Sequence, residues 1–286
     1  MKSVSTTTAV AITLTCVLNP VVGQHNPLAD LPVHGQYPPV DRPIDSPFSR
    51  QAERKLIIGG EIVNGTKSYI AGLRYESDGY NFCAGILISP THLLSASHCV
   101  TGPVRWASIG SHYYNGTQDG EQIRVLSVAN HPDYVNDNVH ITHDFMVLEL
   151  ERPSKFKPVK LAAIDGSNDK AGAWATSLGW GYTQENGTMS YELKHVKQQV
   201  LTNEECMKKM KIDDSVICAG GVANESTCAG DSGGPLVVES PDGEDVLIGV
   251  VSWGNICGKA GEPGAFSRVS SARKWIESIT SRSCFK

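Results

Sequence analysis

From Ile57 onward the chain is built of short apolar runs, among them GILIS at 85–89, HLLSAS at 92–97, FMVLEL at 145–150 and VLIGVVSWG at 246–254. Clusters of Gly, Pro, Asn and Asp separate them. Runs of this length are too short for globular helices, and the punctuating residues supply turns, so they predict many short strands. Only SARKWIESITSR at 271–282 has helical spacing, with Trp275, Ile276 and Ile279 on one face. The prediction is an all-β body, a barrel or sandwich, closed by one C-terminal helix. No internal repeat is evident in the sequence. Hydrophobic residues make up 40% of 286, enough to bury a large core as one domain or two packed halves.

The N-terminal region reads differently. Met1-Lys2 precedes an apolar run from Ala9 to Leu18 and then Val21-Val22-Gly23, the layout of a cleaved secretory signal over 1–23. The run is too short to span a bilayer, so a secreted protein with no membrane anchor is expected. Residues 24–56 are rich in Pro and polar residues without periodicity, and read as a flexible pro-segment. The net charge of −5 is mild and no Lys/Arg cluster stands out, which argues against nucleic acid as a partner. Export implies oxidised cysteines. Of eight, Cys16 leaves with the signal, so an odd number remains and at least one is unpaired or intermolecular. Asn64, Asn115, Asn186 and Asn224 each open an Asn-x-Ser/Thr glycosylation sequon.

Three segments carry chemistry: SASHC at 95–99, HDFMVLEL at 143–150 and AGDSGGP at 229–235. A serine hydroxyl needs a base, a group that orients the base, and donors for the developing oxyanion. In the order His, Asp, Ser these segments resemble the active-site motifs of chymotrypsin-like serine endopeptidases, over about residues 57–282. The resemblance implies His98 as general base and acid, Asp144 as its orienting carboxylate and Ser232 as nucleophile. It implies an oxyanion hole from the N–H groups of Gly230 and Ser232. It implies a polypeptide substrate, no cofactor, and two six-stranded antiparallel Greek-key β-barrels at roughly 57–160 and 161–270. The pairs Cys83–Cys99, Cys206–Cys218 and Cys228–Cys257 follow from the same resemblance, and Cys284 has no family partner.

KLIIGGEIV at 55–63 resembles the family's processing site, where a new Ile57 ammonium would pair with Asp231. Here Leu56, not Arg or Lys, precedes Ile57. The implied substrate pocket is formed by Ser226, Ser252, Trp253, Gly254 and Gly264, with Ser252-Trp253-Gly254 pairing with substrate backbone. Ser226 stands where trypsins carry Asp, so an apolar or aromatic side chain is the expected guest, with Phe266 near the pocket's end and Glu225 and Glu262 close in sequence. In the family's calcium loop, Gly110–Gln122, Glu121 is kept while Ser111 and Gln118 replace carboxylates, so no metal is expected. Segments such as NGTQDGEQ, PSKFKPVKL and IDDSVICAGG further resemble the glucanase inhibitor proteins of oomycete plant pathogens. Those are secreted protease-fold proteins with a damaged triad that bind plant endoglucanases. This chain keeps all three triad residues, and the resemblance adds a plant endoglucanase as a second class of partner.

Overall fold

The computed structural model describes residues 40–41, 60–63, 67–137, 140–183 and 187–281. The expected signal, most of the pro-segment, Ile57, Asn64, Asn186 and Cys284 lie outside these residues.

The N-terminal half contains strands β1 (Ile70–Arg74), β2 (Cys83–Ser89), β3 (His92–Ser95), β4 (Trp106–Ile109), β5 (Glu121–Asn130) and β6 (Met146–Leu150). All pair antiparallel and close into a barrel in the order β1-β2-β3-β6-β5-β4. Ile70, Leu73, Ile86, Leu94 and Leu148 fill its interior, each fully buried. Burying such a side chain stabilises by about 1.5–3 kcal/mol.

The C-terminal half repeats this connectivity with β7 (Trp174–Gly179), β8 (Lys194–Gln199), β9 (Val216–Gly220), β10 (Pro235–Val238), β11 (Val246–Gly254) and β12 (Pro263–Arg268). The order is β7-β8-β9-β12-β11-β10, the same path one barrel later. One difference from the expected second barrel stands out. β8 and β9 share no continuous ladder. An isolated Val200–Ala219 bridge and the Leu201 N–H donating to Cys218 O at 2.9 Å join them. The sheet is also longer than six strands, because Glu61–Ile62 adds to β8 and Lys160–Leu161 pairs in parallel with β11.

Two helices accompany the barrels. The short α1, Asn203–Met207, has no counterpart in the periodicity. Its signature is the capping box of Thr202 and Glu205, in which Thr202 Oγ1 accepts from the Glu205 N–H and the Glu205 carboxylate accepts from the Thr202 N–H. The C-terminal helix α2 spans Val269–Thr280 rather than 271–282. Val269 and Ser270 are buried, so they read as a continuation of β12, whereas the chain turns helical as soon as that strand ends. α2 fastens the halves together. Arg273 Nη1 donates to Leu161 O and Ala162 O at 3.1 and 2.7 Å, and the Trp275 ring lies 4.7 Å from that of His131 on the first barrel.

Candidate active site

His98 sits in a single 3-10 turn, Ser97–Cys99, immediately after β3. Cys99 is bonded to Cys83 at the start of β2, which pins this turn to the barrel. The Ser97 hydroxyl donates to Phe145 O at 2.6 Å, tying the turn to the segment that carries Asp144. Asp144 itself occupies a tight bend. His143 has φ +51, a region that non-glycine residues rarely adopt, and the Phe145 N–H donates to His143 O at 2.8 Å. Strain of this kind costs about 1–3 kcal/mol, and surrounding structure must enforce it. Ser215 Oγ does so from the second barrel by accepting the His143 N–H at 3.0 Å.

The two side chains meet directly. His98 Nδ1 lies 2.6 Å from Asp144 Oδ2, and the His98 backbone N–H donates to Asp144 Oδ1 at 2.9 Å. The His98 side chain is 22% exposed and that of Asp144 1%, so the imidazole reaches solvent while the carboxylate stays hidden. Such a pair fixes the tautomer with Nδ1 protonated and leaves Nε2 to accept a proton.

A third group joins them. Ser252 Oγ donates to Asp144 Oδ2 at 2.5 Å, and Ser267 Oγ donates to Asp144 O at 2.9 Å. Ser252 falls where the β11–β12 register shifts between Val251 and Trp253, so it is the extra residue of a β-bulge. The bulge turns its hydroxyl onto Asp144. On the other side of β11, pairing with β10 reaches only Val250. The edge at Ser252-Trp253-Gly254 therefore has no strand partner among the described residues.

Ser232 lies in the turn leading into β10, packed between the two barrels. Its carbonyl accepts the Ala84 N–H at 2.8 Å from the first barrel, while the Gly233 N–H donates to Val251 O at 2.9 Å in the second. Gly230 and Gly233 have φ +95 and +77. Around this turn the N–H groups of Asp231, Gly233 and Gly234 are all bonded, whereas those of Gly230 and Ser232 have no acceptor among the described residues. Two free donors flanking a serine are what an oxyanion site requires. No hydrogen bond joins Ser232 Oγ to His98 among the described residues, a separation common before substrate binds. A Cβ on Gly233 would run into Ala84 O and the Ser95 hydroxyl. Gly233→Ala is therefore expected to cost about 3 kcal/mol or more in urea unfolding, from φ strain plus a backbone clash.

Asp231 is fully buried, with Oδ1 accepting the Gly181 N–H at 2.7 Å and Oδ2 the Cys228 N–H at 2.8 Å. Burial pushes its pKa up to about 6, against the opposing pull of these two amides. Gly179 and Gly181 make room for it, since a Cβ on either would strike the carboxylate.

The remaining predicted residues fall as follows. Ser226 is buried and its Oγ accepts the Gly258 N–H at 2.7 Å, so its hydroxyl is already engaged with backbone. Gly254 and Gly264 face each other across β11 and β12, with Phe266 beneath Gly264. Glu262 is held at the surface by Asn255 Nδ2 at 3.0 Å, and Glu225 lines a different cleft with Glu61, His195 and Lys197. Cys206–Cys218 and Cys228–Cys257 are bonded, the latter beside the Ser226 segment. Asn115 Oδ1 accepts from the Thr117 hydroxyl at 2.8 Å, and Asn224 is an exposed residue with φ +62.

The loop at 110–122 does not fit a calcium ion. Asp119 accepts from the Ser111 hydroxyl at 2.6 Å and the His112 N–H at 2.8 Å. Glu121 turns to Ser154 Oγ, the Lys155 N–H and Arg152, which together outweigh burial and hold its pKa low. Its oxygens are spent on protein donors, and no cage of several oxygens forms.

Comparison with known proteins places this geometry. The family model described as Trypsin matches residues 57–276. Glucanase inhibitor protein 3 of Phytophthora infestans is 48% identical over 79% of this chain and 89% of its own length. Glucanase inhibitor protein 2 of Phytophthora infestans is 48% identical over 82% of this chain and 93% of its own length. Glucanase inhibitor protein 2 of Phytophthora sojae is 46% identical over 79% and 80%.

Proposed function

Since the chain belongs to the trypsin family, we propose that it is a secreted serine endopeptidase, made as a zymogen, that cleaves polypeptides through an acyl-enzyme. The supporting observation is the His98–Asp144–Ser252 network together with the free Gly230 and Ser232 amides in the turn that carries Ser232. On this reading Ser232 Oγ attacks the scissile carbonyl while His98 Nε2 takes its proton and returns it to the leaving amine. Water, deprotonated by the same Nε2, then attacks the acyl carbon and restores Ser232. Asp144 keeps its charge throughout and steadies the imidazolium. The Gly230 and Ser232 N–H groups receive the oxyanion. A fluorophosphonate probe on the chain beginning at Ile57 should label Ser232, and failure to label would overturn the proposal.

The pocket reading carries its own prediction. Ser226 supplies no fixed negative charge, so a Lys or Arg guest would be desolvated without a counter-ion. Apolar or aromatic residues are expected to dominate a peptide-library profile. The active form is expected to begin at Ile57, after self-cleavage of Leu56–Ile57. A preference for Arg or Lys, or a mature chain starting at Leu56, would count against it.

A second reading is favoured by the relatives. At 46–48% identity to proteins named as glucanase inhibitors, the surface here would bind a plant endo-β-glucanase. Inhibition of such an enzyme by a Ser232→Ala chain tests this without any contribution from proteolysis.

A further inference from the structure

Upstream of the body, the chain touches it at one described place. Val40–Asp41 forms a two-residue strand parallel to Met189–Ser190, with Val40 opposite Met189 and Asp41 opposite Ser190. Met189 also bridges antiparallel to Tyr182, so Met189–Ser190 is the middle of a three-part ribbon. The sequence explains why the pairing is so short. Pro38, Pro39 and Pro43 bracket Val40-Asp41-Arg42. Proline has no N–H, fixes φ near −65°, and pushes the residue before it toward extended backbone. The segment is extended in advance, with donors in a three-residue window, and cannot lengthen into an adhesive edge.

The ribbon lies directly behind the nucleophile turn. The Tyr182 N–H donates to Ala229 O at 2.9 Å, and the Ser190 N–H reaches Trp180 O and Gly181 O at 3.0 and 3.3 Å. Gly181 in turn donates to Asp231 Oδ1. The Met189 thioether occupies the space that a Cβ on Gly230 would take. Gly230, one of the two free amides, thus rests against the strand that Val40–Asp41 flanks.

We propose that Val40–Asp41 is a strap: while attached, it holds Met189–Ser190, and through Met189 the Gly230 peptide, in place; cleavage before Ile57 lets it go. Two residues of ladder supply only a few hydrogen bonds, each worth about 1 kcal/mol net. Tethering holds the strand beside its partner edge at an effective concentration of about the millimolar range, which a detached and diluted segment does not keep. Once the bond is cut, no cysteine between Gln24 and Leu56 keeps the segment attached. At about 3.3–3.6 Å per residue, the linker from Arg42 to Leu56 can extend to roughly 50 Å, so the bond can be cut with the strap still docked. Strap binding concerns the uncut chain alone; its release rests on the cleavage proposed above, and the measurements separate the two.

The test is amide exchange across 182–190 and 228–232, read by mass spectrometry in a Ser232→Ala background that cannot cut itself. Val40→Pro with Asp41→Pro removes both strap N–H groups and leaves the body unchanged, so folding is not at issue. Exchange in 187–190 is expected to run about tenfold faster in that variant and in a chain beginning at Ile57. A synthetic peptide of residues 36–44 at millimolar concentration should restore protection to the shorter chain, and the double-proline peptide should not. Equal exchange in the uncut chain and the double-proline variant would overturn the strap. So would rescue by the double-proline peptide. Rescue only by unrelated extended peptides would assign the edge to a partner's strand and overturn it equally. Slow exchange that persists in a cleaved, purified body would overturn the release step.

Discussion

Replacing Ser232 with alanine is expected to lower kcat on peptide and ester substrates by roughly 10⁴- to 10⁶-fold, with the fold intact. The size follows from the arrangement. His98 and Asp144 can only polarise a nucleophile that is present, so removing it strands the whole relay. The residual rate would come from the Gly230 and Ser232 amides and from binding. His98→Ala should be about as damaging, and the double variant little worse than either, because the residues act as one unit. Unchanged turnover in Ser232→Ala would sink the catalytic assignment. The same variant divides the two proposed functions, since binding to an endoglucanase through a distant surface would survive it.

A second large effect is expected in the pH dependence of folding, and it should change on activation. In the uncut chain Asp231 has a pKa raised by burial to about 6, from an ordinary value of 3.8. Between these values the folded chain holds a proton that the unfolded chain has released. Stability therefore falls as pH rises from about 4 to 6, by about 3 kcal/mol across the window, and stays at the lower level above it. An Ile57 ammonium paired with Asp231 would favour the carboxylate and pull the pKa back down. That pairing should abolish or reverse the slope. Urea midpoints for Ser232→Ala, uncut and cut before Ile57, measure both limbs, and the same pair carrying Asp231→Asn subtracts the groups that leave with residues 24–56. A flat profile in the uncut chain, or one that cutting leaves unchanged, would contradict this account.

Much of the architecture was legible because its signals are local. Short apolar runs and turn residues announced strands, and the glycines around Ser232 announced a turn that needs positive φ at Gly230 and Gly233. Asp144 was legible only by its place in an ordered series, since an aspartate before a strand is ordinary; what fixes it is the bend at His143 and the bonds from Ser252 and Ser267. Ser252 was named through the resemblance for its place on the substrate-pairing strand, and its bond to Asp144 was not legible because a bulge leaves no mark in sequence. α1 carried a readable capping box in Thr202 and Glu205 but is too short for periodicity to register. The two barrels were legible through the resemblance and not through residue patterning, because ladders are made of backbone and the same path can be built from unrelated side chains. The strap was missed for a similar reason: composition marks 24–56 as unable to bury itself, and says nothing about borrowing an edge.

The doubled barrel has one more consequence. His98 and Asp144 belong to the first copy and Ser232 to the second, and several of the bonds that cross between the copies converge on these residues: Ser252 and Ser267 to Asp144, Ser215 to His143, Ala84 to Ser232. Part of the seam runs through the residues proposed for catalysis. Reactivity at Ser232 therefore serves as a gauge of how the halves sit on each other, and a change anywhere that slides one copy past its twin is felt first as lost chemistry. A surface used only for adhesion carries no such liability, and would tolerate drift at the seam that a protease could not.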